Sequence, residues 1–110
     1  QNKKPAVFGK VGSDLTLEEG YQAARLTGLN LLSQLKNEVD DLDKVRIIKV
    51  LAFVASAPDF LQQPAVMNGV SDLFAEVFGE KGLHARSAVA VTQLPFNIPI
   101  EVEMIAEIEE

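Results

Sequence analysis

"HARSAVAVTQLP", residues 84–95, is a run of small and apolar residues of the kind that forms a buried strand, yet it places a guanidinium at Arg86 and the chain's single histidine at His84. After a short turn through Pro95 and Pro99 comes "IEVEMIAEIEE", residues 100–110. There Ile100, Val102, Met104, Ala106 and Ile108 fall on one side, and Glu101, Glu103 and Glu107 on the other with Ile105 among them. One strand therefore begins with a cation, and the next begins with a carboxylate fifteen residues later. What these two groups do decides both the fold and the chemistry.

The upstream sequence supplies the rest of a small α+β domain. "TLEEGYQAARLTGLNLLSQLKNEV" follows the turn residues "KVGSD", with Thr16 as N-cap and Glu19 three residues on to close a capping box. Leu17, Tyr21, Ala24, Gly28, Leu31 and Leu35 recur at helical steps. Gly28 lies on that apolar stripe and is read as a close approach to a sheet, and "DDLDK" as the end of the helix. "VRIIKVLAFVAS", residues 45–56, is the clearest strand. Strict alternation puts Val45, Ile47, Leu51, Phe53 and Ala55 on one side, interrupted by Lys49, and Ile48, Val50, Ala52 and Val54 on the other, after Arg46. Both faces are mainly apolar, so both are expected to be buried, one on helices and one on a partner. A second helix is expected over 64–78, opened by Pro64, striped by Val66, Val70, Leu73 or Phe74, and Val77, and closed by Gly79. Strands follow at 85–94 and 100–108, and a short one is expected at Ala6–Phe8. The order is helix, strand, helix, strand, strand.

Composition narrows the function. The chain has 110 residues, 47% of them hydrophobic and 24% charged, with a mean hydropathy of +0.11, which suits one globular domain spanning 1–110. Its net charge of −6 and scattered lysines and arginines disfavour nucleic-acid binding, which depends on neutralising phosphates. With no cysteine there is neither a disulfide framework nor a thiolate nucleophile, as suits a reducing, cytoplasmic setting. No segment has the apolar length of a membrane span, so no membrane partner is expected.

Few residues offer chemistry. Arg86 has small neighbours, Ala85, Ser87 and Ala88, that leave room for a ligand, and a guanidinium can hold a carboxylate bidentately. On spacing alone, an ion pair with Glu101 or Glu103 across a hairpin is the simpler reading. Glu101 can act as a general base on water, or be one of the charges that keep an edge strand soluble. His84 can titrate near neutrality and relay protons, or simply sit in a loop with a satisfied hydrogen bond. Asn68, Ser71 and Asp72 lie on the second helix, where Asn68 can contact a ligand, a surface amide being the simpler reading. A single histidine supports neither a metal site nor a Ser–His–Asp triad, and no glycine-rich run matches a phosphate-binding loop.

"ARSAVAVTQLP" (85–95) followed by "IEVEMIA" (100–106) resembles the signature of the RidA family of enamine/imine deaminases, also called YjgF or endoribonuclease L-PSP-like. "DLDKVRIIKVLAFVASAPDF" and "MNGVSDLFAEVFGE" resemble that family's central strand and second helix, so the likeness runs from Lys10 onward. The resemblance implies a chorismate mutase-like (ferredoxin-like) two-layer sandwich, with two helices on one face of a mixed sheet. It further implies a homotrimer around a central barrel, with sites between subunits. In that reading Arg86 binds the carboxylate of a 2-imino or 2-enamino acid, backbone groups at Ser87 and Ala88 help hold it, and Glu101 positions the attacking water. The products are a 2-oxo acid and ammonia, and no metal or organic cofactor takes part. The resemblance also implies an N-terminal hairpin that these 110 residues do not show, expected either to lie ahead of them or to be lost in a truncated form. His84 and Ala88 replace a common proline and cysteine, placing the chain on a divergent branch. The alternatives are a non-catalytic trimer that binds a small carboxylate and, disfavoured by the acidic charge, a ribonuclease.

Overall fold

The computed structural model describes residues 7–109. Helix α1 (Leu17–Lys36) starts where the side chains require it. Thr16 Oγ1 accepts from the Glu19 backbone N–H at 3.1 Å, and Glu19 Oε1 accepts from the Thr16 N–H at 2.9 Å. Strand β1 (Val45–Ala55) follows, then α2 (Gln63–Phe78), β2 (Ala85–Val91) and β3 (Ile100–Ile108). Two helices cover one face of a three-stranded mixed sheet, in the order β2–β1–β3. β1 runs parallel to β2 and antiparallel to β3. The result is the expected two-layer α+β sandwich, helices on one side and sheet on the other. Ahead of α1, Val11 is fully buried, and its backbone exchanges hydrogen bonds with Ala55 and Ala57, both at 2.9 Å.

The central place of β1 revises the expected hairpin. β2 and β3 are consecutive in sequence but lie on opposite sides of β1, so no ladder joins Arg86 to Glu101 or Glu103. The facing of β1 also differs from strict alternation. A register irregularity between Ile47 and Lys49 inserts one residue, so Ile47 and Val50 turn to the same side. Val45, Ile47, Val50, Ala52 and Val54 therefore all point into the core beneath the helices. Lys49, which interrupted an apolar row in the sequence, stands beside this bulge and is exposed. On the far face Leu51 and Phe53 are only half-buried, so a single chain covers one face of β1 rather than both.

Other boundaries shift modestly. α1 ends at Lys36, capped by Asn37, before "DDLDK", and β2 ends at Val91 rather than at residue 94. The expected strand at Ala6–Phe8 begins on a residue outside those described, and Val7 and Phe8 are irregular. Val77 is 42% exposed, and Met67 and Phe74 fill the core in its place. Gly28 does make a close approach, but to α2: a Cβ there would lie 2.9 Å from Leu73 Cδ2. Gly69 is tighter still, since its Cβ would stand 2.2 Å from the Tyr21 carbonyl oxygen. Two polar links flank this helix crossing. Tyr21 Oη donates to Asp72 at 2.6 Å, and Arg25 forks onto both Glu76 oxygens at 2.7 and 3.1 Å. The crossing fixes the position of α2, and α2 carries half of the candidate site.

Candidate functional site

Arg86 is the second residue of β2 and pairs in register with Val50 of β1. Paired residues of neighbouring strands point to the same side, so Arg86 rises on the helix-covered face, at the sheet's edge beside α2. Its Nη1 donates to Asn68 Oδ1 at 2.8 Å and to Ser71 Oγ at 3.0 Å. These acceptors are three residues apart on α2 and so share one face of the helix. Ser71 Oγ in turn meets His84 Nε2 at 3.1 Å, and His84 Nδ1 lies 2.5 Å from the Gly82 carbonyl oxygen. The His84 ring also packs edge-on against Phe74, with centroids 5.9 Å apart.

Two consequences follow for the guanidinium. Both Nη1 protons are committed to neutral oxygens, while the edge formed by Nε and Nη2 makes no hydrogen bond among the described residues. That edge has the fork geometry that takes a carboxylate side-on. In addition, the ion pairs among the described residues are Arg25–Glu76, Arg46–Glu109 and Lys81–Glu109. The charge of Arg86 is thus matched by no carboxylate there, and the ion pair expected with Glu101 or Glu103 is absent. Arg86 is exposed, so the anchored cation faces solvent.

Glu101 lies elsewhere. It pairs with Phe53 across β1, on the sheet face turned away from the helices. Glu103 follows on that face, opposite Leu51, whose other neighbour is Ser87 of β2. A cleft of about 270 Å³ lies between α1 and the start of β3, lined by Ala23, Leu26, Asn30, Pro99 and Glu101. Arg86 does not line that cleft. Within one chain the structure gathers Arg86, Asn68, Ser71 and His84, and sets Glu101 on the other side of the sheet. Ser87 and Ala88 follow Arg86 along β2, with the Ser87 side chain on the open face and Ala88 on the helix face. Among the described residues β2 pairs only with β1, so alternate backbone N–H groups along its other side have no strand partner there. The joint role of Asn68, Ser71 and His84 was not foreseen. The available signal was the one-turn spacing of Asn68 and Ser71 ahead of a strand that opens with His-Ala-Arg.

This sandwich, with a solvent-facing arginine at the start of an edge strand, defines a class. The chain belongs to the family described as "YjgF/chorismate mutase-like, putative endoribonuclease", whose model matches residues 2–108. It is 47% identical over 102 residues to "Protein TCP17" of Trypanosoma cruzi, covering 91% of this chain and 64% of that protein. It is 36% identical over 80 residues to "Putative regulator AldR" of Lactococcus lactis, covering 73% of this chain and 56% of that protein. Among solved structures it superposes on Atu1372 of Agrobacterium tumefaciens, a protein of unknown function, with a TM-score of 0.96 and 45% identity, covering 100% of this chain and 71% of that one. It also superposes on a putative endoribonuclease of Shewanella oneidensis, with a TM-score of 0.94 and 32% identity, covering 98% of this chain and 72% of that one. The chain therefore spans less than two thirds of the length of both curated relatives.

Proposed function

We propose that Arg86 docks the carboxylate of a small 2-imino or 2-enamino acid, and that the assembled protein hydrolyses it to a 2-oxo acid and ammonia. The observation that carries this reading is the state of the guanidinium. It is anchored through Nη1 by two neutral oxygens, it lacks a carboxylate partner among the described residues, and its Nε–Nη2 edge makes no hydrogen bond among them on a residue that is exposed. Charge-assisted hydrogen bonds to that edge would fix the acid. Backbone N–H groups of β2 near Ser87 and Ala88 are placed to steady it.

Water then adds to the imine carbon while a carboxylate takes its proton. The carboxyl group passes that proton to the imine nitrogen to give the carbinolamine, and the carbinolamine's hydroxyl proton then reaches the amino group by the same route as the C–N bond breaks, releasing ammonia and leaving the carbonyl. Glu101 is the general base in this scheme. Because Glu101 and Arg86 occupy opposite faces of one sheet, the Glu101 that serves a given Arg86 comes from a second copy of the chain. The half-buried Leu51 and Phe53 and the exposed Val89 and Ile105 give that copy an apolar face to pack on, consistent with a homotrimer.

The test is to generate a 2-aminoacrylate-type imine and follow release of the 2-oxo acid. Wild type should exceed the buffer rate. Arg86→Ala should lose roughly 100-fold in kcat/KM, and Glu101→Gln about 10²–10⁴-fold in kcat. Wild type running at the buffer rate would reject the deaminase.

The separation of Glu101 from Arg86 favours a second reading, in which the chain binds a small carboxylate without turning it over. That reading accords with a relative named a putative regulator. Ligand-dependent melting shifts that vanish in Arg86→Ala and persist in Glu101→Gln, with no product formed, would select it. Ribonuclease activity is disfavoured by the net charge of −6 and by the exposed Arg86 standing without a basic groove around it.

A further inference from the structure

We infer that His84 and Ser71 are positioning residues, forming a directed relay that sets the Arg86 guanidinium in its docking orientation. The inference rests on the carboxylate-docking reading and adds what holds the dock in place.

The proton directions follow from the partners. The Gly82 carbonyl can only accept, so His84 Nδ1 carries the proton in that contact. In the neutral ring this leaves Nε2 as an acceptor, so the Ser71 hydroxyl donates to it. Ser71 Oγ then has its lone pairs free to accept from Arg86 Nη1. Each group thus dictates the direction of the next, from a backbone carbonyl to the cation. Asn68 Oδ1 accepts the other Nη1 hydrogen bond. The ring is steadied by Phe74, which is fully buried, so the relay is tied to the core.

This arrangement matters because an exposed arginine is long and mobile. Fixing it beforehand removes an entropy cost that a ligand would otherwise meet on binding. The effect is the same for a ground-state acid and for its transition state, so it falls on affinity and KM rather than on kcat.

The experiment uses ¹⁵N-labelled protein and pyruvate as the probe acid. His84→Phe keeps the ring against Phe74 and removes the acceptor. His84→Gln keeps an amide oxygen near the Nε2 position. Ser71→Ala removes the hydroxyl, and Ser71→Thr restores it. In wild type the Arg86 side-chain N–H signals should be resolved and slow to exchange. In His84→Phe and Ser71→Ala they should broaden, and the pyruvate dissociation constant should rise roughly three- to tenfold, about the worth of one hydrogen bond. His84→Gln and Ser71→Thr should recover most of both. Unchanged Arg86 signals in His84→Phe and Ser71→Ala would overturn the relay. Wild type failing to bind pyruvate, or binding it as well as Arg86→Ala does, would overturn the docking reading instead, and the Arg86 signals would still decide the relay.

Discussion

Replacing Gly69 by alanine tests how closely the fold sets the site. In an isolated helix the change would stabilise by about 1 kcal/mol. Here the added Cβ would stand 2.2 Å from the Tyr21 carbonyl oxygen, 2.9 Å from the Arg25 nitrogen and 2.9 Å from Ala24 Cβ. Two of these three neighbours are backbone atoms, which cannot swing aside. Restoring ordinary contact near 3.4 Å requires α1 and α2 to part by roughly 1 Å. A separation of that size takes Tyr21 Oη out of hydrogen-bond range of Asp72 and loosens Val66, Val70 and Leu73 against α1. Overpacking of this kind costs about 1–3 kcal/mol, and at a rigid contact the upper part of that range applies. The net loss after the helix-propensity gain is about 1–2 kcal/mol. With a urea dependence of about 2 kcal/mol per molar, the unfolding midpoint should fall by about 0.5–1 M. Because α2 also carries Asn68 and Ser71, the Arg86 side-chain signals should shift in the same variant. A midpoint equal to or above that of wild type would refute the account of the helix crossing.

Gly79 gives the contrasting case: a Cβ there meets nothing within 4 Å, but its φ is +63° with ψ −132°. Gly79→Ala should therefore cost about 1–2 kcal/mol from backbone strain alone, leaving the Arg86 signals unmoved; a loss near zero in a chemical melt would contradict this. Acid should weaken the fold through Glu76 and Glu109, whose carboxyls are held below their usual 4.5 by hydrogen bonds from Arg25 and Lys81 respectively. Since the folded state binds these protons less readily than the unfolded one, the stabilisation is present above pH 4.5 and fades as pH falls through the lowered values. Urea midpoints measured from pH 6 down to pH 3 should drop less steeply in Glu76→Gln/Glu109→Gln than in wild type; parallel slopes would count against it.

Local signals in the sequence were enough to place the elements. Thr16 with Glu19, Gly79, and the period-two pattern of residues 100–108 each report chemistry confined to one turn or one strand, and each appears where expected. What the sequence hid was non-local. Nothing in residues 85–108 states that β1 slips between the two strands they form. A period-two reading cannot register an inserted residue, although Lys49 in an apolar row was the trace it left. Gly28 looked the same whether a sheet or a helix lay against it. The link from Ser71 to His84 and Arg86 crosses 13 and 15 positions of chain, and only the return of β2 alongside α2 closes it. Arg86 stood out in the sequence as a guanidinium opening an apolar run, the resemblance to a family favoured ligand binding over an ion pair for it, and the groups that hold it came from the structure.

The middle strand also sets a timetable for making the protein. Val45 is matched with Ile108, so one flank of β1 stays bare until residue 108 has been translated. A nascent chain that already holds both helices and β2 would still expose an apolar ribbon able to pair with a neighbour on the same message. Synthesis at high ribosome density should therefore be the condition under which this protein most needs a chaperone.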